Sequence, residues 1–317
     1  MRCIVAVVGA LALGLVGCTG GGGQLAQREA TATTTTSTAT TATTATTAPE
    51  ASPTTTAATT ATTAASTNPI PTDQLKGPKT ANAAAEAIAR IERRLRSSNR
   101  DLTRLLKLGR AQQLAYRALS SHPAWVDNVV GEVPADLQPH VQANIDAGNA
   151  LSGLTGSAPA PAGLPQWQIL VPEPAATLRS YYDEAEAAYG IPWQYLAAIH
   201  FVETRMGRIH GLSSAGAQGP MQFIPESWAA FGQGGDINSN HDAILAAGRY
   251  LEASNAATDI DGALFSYNHD ERYVAAIKAY ASVMMADPGA YDGYYHWQVF
   301  YVSADGTFLL PEGWSAV

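Results

Sequence analysis

A mostly α-helical protein is predicted, with a helical N-terminal region, a second helical domain and a small C-terminal β-hairpin. Three observations predict it. Apolar residues recur at spacings of three and four over Ala81–Leu119, around Leu137–Leu151 and across Pro192–Met206. Strand-type residues on either side of a turn occur only near the C-terminus, where Asp305-Gly306 separates Tyr294–Val302 from Thr307–Leu310. The residues after Thr67 can support a small helical region plus one further domain. The formal charge of −8 speaks for solubility and says little about fold.

The elements follow in chain order. Met1-Arg2 and the short apolar run Ile4–Val16 read as a secretory signal, residues 1–17, too short for a free transmembrane helix. Leu15-Val16-Gly17-Cys18 resembles the bacterial lipobox, as against an ordinary signal peptide with an incidental cysteine. That resemblance implies lipidation at Cys18, export across the cytoplasmic membrane and an anchor on its outer face, in the cell envelope. The chain has only two cysteines, Cys3 and Cys18, so no disulfide framework is expected after processing.

Residues 18–78 read as a stalk. From Gly20 to Thr67 the chain is mostly Gly, Thr, Ala, Ser and Pro with almost no large apolar residue after Leu25, a composition that cannot bury a core. As a coil it would reach on the order of 40 Å, and its threonines are candidate O-glycosylation sites.

Residues 79–165 form the expected helical N-terminal region. Ile88, Ile91, Leu95, Leu102, Leu105, Leu106 and Leu114 keep helical spacing, with a break marked by Asn99 and Asp101. Residues 81–120 carry nine Lys or Arg against three Asp or Glu, whereas residues 171–317 carry six against seventeen. The basic helices could dock on the acidic part, lie against anionic lipid or wall polymer, or simply present a solvated face, which is the default. Nucleic acid is not expected as a partner. Trp167–Val171 reads as a short extended lead into the second domain, residues 166–317.

Within that domain Pro192 suits a first helical turn and Gly207 a stop. Leu196, Ile199, Glu203 and Met206 then fall at offsets 3, 7 and 10, one face of a helix, which puts a carboxylate on an apolar stripe. Such an acid in isolation is more often snorkelling or salt-bridged, here to Arg205 or Arg208. If desolvated, its pKa rises and it keeps a proton for general acid catalysis. Downstream, Ser213–Gln222 is a loop of small residues that permits close backbone approach to a ligand. Gln222 supplies a donor and an acceptor suited to acetamido and hydroxyl groups, and Met221 and Phe223 offer apolar floor or plain core. Tyr267-Asn268 closes a helical stretch; the Tyr could orient a carboxylate, and the Asn could bind a ligand or cap the helix.

Taken together, Val202-Glu203-Thr204-Arg205-Met206-Gly207, Ser213 with Ala215-Gly216-Ala217, Gly219-Pro220-Met221-Gln222-Phe223, and Tyr267-Asn268 with Tyr273-Val274 after it resemble the lytic transglycosylases of the lysozyme-like superfamily. The wording is closer to the membrane-bound B-type branch, and the resemblance covers roughly residues 174–280. It implies a lysozyme-like transglycosylase domain acting on peptidoglycan glycan strands, with Glu203 as the catalytic acid/base. It also implies substrate-site or acid-positioning roles for Ser213 (or its neighbour Ser214), Met221, Gln222, Tyr267 and Asn268. The expected reaction breaks the bond between N-acetylmuramic acid and N-acetylglucosamine, closes a 1,6-anhydro ring and needs no cofactor.

A second carboxylate would instead imply hydrolysis. Asp242 reads as an N-cap before Ala243–Ala247, and Asp270 and Glu271 as solvated turn residues. The alternating oxygens of Asp236, Asn238, Asn240 and Asp242 lack the Gly and Glu of a calcium loop, His241 and Ala247 standing in their places, so no metal is expected. A catalytically silent wall-binding lipoprotein is the alternative of a different class.

Overall fold

The computed structural model describes residues 67–97, 102–154 and 159–316. The expected signal segment, Cys18 and the stalk up to residue 66 lie outside the described residues, as do Asn99 and Asp101. The described part is mostly helical, with ten helices of seven or more residues and a small antiparallel hairpin at the C-terminus.

The chain enters through β1 (Ile70–Pro71) and then α1 (Ala81–Leu95). Thr80 caps α1, its Oγ1 accepting from the Ala83 amide at 3.2 Å, and Ala84, Ala85, Ile88, Ile91 and Leu95 form its buried face. The next helix, α2 (Leu102–Ser121), packs against it, so the expected break falls between the two. A buried carboxylate stitches the pair. Glu92 accepts from Tyr116 Oη at 2.7 Å and Gln112 Nε2 at 3.0 Å and pairs with Arg96, so its oxygens are satisfied away from water.

Two helices, α3 (Val126–Glu132) and α4 (Gln138–Leu154), complete the N-terminal half. The strand β2 (Gln168–Ile169) leads to α5 (Ala175–Tyr189) and α6 (Trp193–Thr204). After β3 (Ile209–His210) come α7 (Pro225–Phe231), α8 (Asn240–Ala253), α9 (Ile260–Tyr267), α10 (Glu271–Ala286) and α11 (Ala290–Tyr295). The hairpin is β4 (Val299–Ser303) and β5 (Gly306–Leu310), and β1 pairs with the free edge of β5, Ile70 opposite Leu309.

One apolar core runs through helices on both sides of residue 166. The broadest contact joins α4 to α10, and Tyr294 of α11 donates to Asn144 of α4 at 2.7 Å. At its centre α6 buries every residue from Leu196 to Thr204. This differs from the single apolar face expected from Leu196, Ile199, Glu203 and Met206. A helix surrounded by neighbours needs no polar side. It also ends earlier, at Thr204, because Arg205 (φ 56°), Met206 (φ 61°) and Gly207 (φ 76°) are all left-handed and turn the chain sharply.

Three other expectations change. Tyr294 and Tyr295, expected in the hairpin, belong to α11, because the Tyr294 ring packs on Phe201 (5.1 Å between centroids) and Tyr280 (5.2 Å). The N-cap of α8 is Ser239 rather than Asp242; the Ser239 hydroxyl accepts from the Asp242 amide, and Asp242 itself lies within the first turn. Ile70–Pro71, placed in the stalk by composition, is ordered as the third strand. Among the described residues no helix is long and apolar enough to cross a membrane.

Candidate functional site

Glu203 sits one residue before the end of α6, 2% exposed, where the helix is enclosed on all sides. Its Oε1 accepts from the Tyr273 hydroxyl of α10 at 2.8 Å, and its Oε2 has no protein partner. Burial pushes the carboxyl up to about 8; the Tyr273 hydrogen bond pulls the other way and loses. Neither neighbouring arginine offsets this. Arg205 folds back onto Phe201, its Nη1 donating to the Phe201 carbonyl at 2.6 Å, and Arg208 pairs with Glu312 at 3.1 Å. The salt-bridged alternative for Glu203 therefore does not occur among the described residues.

The left-handed exit from α6 brings the following loop back beside the acid. Thr204 Oγ1 donates to the Pro220 carbonyl at 2.6 Å and accepts from the Gly207 amide at 3.0 Å, fastening the helix end to the loop. Gln218 and Phe223 exchange two backbone hydrogen bonds of 2.9 Å, closing a tight loop around Gly219–Gln222. Gly219 is obligatory there: its φ is 72°, and a Cβ would stand 1.9 Å from the Ile237 carbonyl oxygen. Gln222 is also left-handed, at φ 51°, with Nε2 donating to the Gly219 carbonyl at 2.9 Å. A backbone held in this region by its surroundings is typical of ligand clamps.

Met221 is fully buried, and its carbonyl accepts from the Tyr267 hydroxyl at 2.7 Å. The Tyr267 and Tyr273 rings lie parallel, centroids 6.4 Å apart. A continuous set of contacts thus runs from Glu203 through Tyr273 and Tyr267 to Met221, and through the closed loop to Gln222. Asn268 ends α9 as its C-cap and is buried. Ser213 is occupied with its own loop, its Oγ accepting from the amides of Ala217 (2.9 Å) and Ala215 (3.2 Å). Three of the expected residues leave a buried oxygen without a protein partner: Glu203 Oε2, Gln222 Oε1 and Asn268 Oδ1. Buried oxygens of this kind are what hydroxyl and amide donors of a polar ligand would satisfy. A cavity of about 120 Å³ lies beside the same loop, lined by His210, Gly211, Gln218, Gly219 and Asn238 among others.

The remaining acids are engaged elsewhere. Asp236 accepts from the Asn238 amide and Asp242 from the Asp236 amide, each at 2.9 Å, so these two carboxylates bond to their own segment, while the buried Asn240 Oδ1 has no protein partner. Asp270 caps α10, accepts from the Arg272 amide and guanidinium, and is held below the usual carboxylate range by that arginine. Cys18 lies outside the described residues.

Two residues that the sequence placed within the motifs, without a role of their own, acquire one in the structure. Tyr273, and not Tyr267, bonds Glu203, and Thr204 anchors the loop. Tyr273 is 70 positions from Glu203, and only the packing of α10 on α6 joins them. Comparison of this chain with protein-family models, curated proteins and solved structures found no match.

Proposed function

We propose that this protein is a lytic transglycosylase with a lysozyme-like domain, cleaving peptidoglycan glycan strands with Glu203 as its single acid and base. The observation that carries the reading is a buried carboxyl, pushed up to about 8, whose one protein hydrogen bond comes from a neutral tyrosine. An acid in that state retains its proton at neutral pH and can take one back.

In the reaction, Glu203 gives its proton to the oxygen linking N-acetylmuramic acid to N-acetylglucosamine, and the bond from that oxygen to the muramic anomeric carbon breaks. The neighbouring acetamido oxygen stabilises the electron-poor carbon. The Glu203 carboxylate then removes the proton from the sugar's own 6-hydroxyl, whose oxygen bonds to the anomeric carbon. The 1,6-anhydro ring closes, Glu203 is protonated again and no water is consumed. Tyr273 acts as a positioning residue, while Gln222 and Asn268 offer their unpartnered oxygens to sugar donors. In the same reading Cys18 is lipidated and holds the enzyme on the outer face of the cytoplasmic membrane, with glycan strands and the membrane as its partners.

Mass analysis of products from purified peptidoglycan tests this. Anhydro-muramic ends, one water lighter than hydrolysis products, are expected. Reducing ends would mean a muramidase, and an absence of products with retained glycan binding would mean a silent scaffold.

A further inference from the structure

A cavity of about 270 Å³ opens between α2, α3 and α4 and reaches the chain just past α6 at Arg205. It shares no lining residue with the set around Glu203. Its wall is mixed, with Leu119, Ile145, Leu151 and Trp297 forming an apolar part beside serine, asparagine and glutamine side chains; two guanidinium groups, Arg117 and Arg205, line it and no lining residue is an Asp or Glu.

Arg205 is 4% exposed, and its Nε is buried without a partner. Its guanidinium rests 4.4 Å from the Phe201 ring centroid. The half-buried Arg117 stacks on Phe300 at 4.0 Å. Among the described residues neither forms an ion pair, whereas the buried Arg208 is matched by Glu312 and Arg96 by Glu92. The fold therefore neutralises Arg208 and Arg96 and leaves Arg117 and Arg205 positive beside a cavity. Burial, with Arg205 adding repulsion, holds Arg117 down to about 10; burial, with repulsion from Arg208, holds Arg205 below its ordinary value.

We infer that this cavity binds a small amphiphilic anion, its carboxylate or phosphate head held by Arg117 and Arg205 and its apolar body lying against Leu119, Ile145 and Trp297. Arginine forks match either head group. The volume lies just under the range of small-molecule sites, roughly 300–1,000 Å³, so the occupant is a compact molecule and not a glycan strand.

Isothermal titration of the full-length protein with hexanoate, hexyl phosphate and uncharged hexanamide tests the inference. At least one anion should bind saturably, one per chain, and at least about tenfold more tightly than hexanamide. Which anion binds identifies the head group. Arg117→Met, which keeps the stem and removes the charge, should weaken binding by about tenfold or more. Gly148→Leu is the second arm: Gly148 lines the cavity from α4, and an added Cβ meets nothing nearer than Ser120 Oγ at 3.7 Å, so a side chain started there leaves the backbone without a clash and grows beside the cavity. That variant should melt cooperatively and bind neither anion. No saturable binding by either anion, equal binding of hexanamide, or unchanged binding in Gly148→Leu would overturn the site. The readout is binding alone, so it stands apart from the glycan chemistry.

Discussion

The Tyr273 hydroxyl donates to Glu203 Oε1 across 2.8 Å, tying the acid of α6 to α10. This bond favours the ionised carboxylate, against the larger effect of burial. Tyr273→Phe should therefore raise the Glu203 pKa further and move the alkaline limb of the kcat/KM profile to higher pH. An activity loss with an unmoved limb would reduce Tyr273 to a packing residue.

Glu203→Gln should lose about 10²–10⁴ or more in turnover on peptidoglycan while still binding it, because the amide can neither give nor retrieve the proton. Asp236→Asn, Asp242→Asn and Asp270→Asn should each keep substantial activity. Full turnover in the Glu203 variant would remove the basis of the assignment.

The same residue makes stability pH-dependent in a stated direction. Its folded pKa of about 8 lies above the ordinary 4.5, so between those values the folded chain holds a proton that the unfolded chain has released. Its contribution to stability is fully present below the lower value and is lost as pH rises through the upper one, with a slope on the order of 1 kcal/mol per pH unit. Chemical denaturation from pH 5 to 8 should show this decline in the wild type and a flatter profile in Glu203→Gln. Parallel profiles would contradict a buried, proton-holding Glu203.

Gly219→Ala combines a left-handed φ with a collision against the Ile237 carbonyl, and should lower the melting temperature by about 4–10 °C and impair activity. Gly216→Ala, at φ 77° but with open space around its Cβ, should cost distinctly less. Equal effects would show that backbone conformation alone, and not contact with Ile237, restricts Gly219.

Cys18→Ala should abolish incorporation of a fatty-acid probe and release the protein from the membrane fraction. Undiminished labelling would remove the lipid anchor from the proposal.

Much of this architecture was legible because it rests on local pattern. The break between α1 and α2, the helical stretch of α4 and the hairpin each follow from nearby residues, although the hairpin turns at Ala304-Asp305, one residue before the expected Asp305-Gly306, because Gly306 already pairs with Ser303. So did the Glu203 candidacy, since an acid inside Leu196–Met206 is conspicuous in any frame. What escaped depends on distant packing. The parallel tyrosines 267 and 273 belong to successive helices, and nothing in their spacing says which will face Glu203. The all-round burial of α6 likewise depends on neighbours remote in sequence. Ile70–Pro71 carries no alternating pattern of its own and is ordered only because β5 offers it an edge.

That two-residue strand also sets the mechanics of the fold. Tension arriving from the N-terminal side must pass through β1 before it reaches α1, and β1 is held to β5 at only two positions, one of them a proline without an N–H. Held at so few positions, it would peel before the helices around Glu203 felt the strain. Its release would bare the edge of β5, a ready template for another strand, so a sustained pull would show itself as self-association before it showed as lost chemistry.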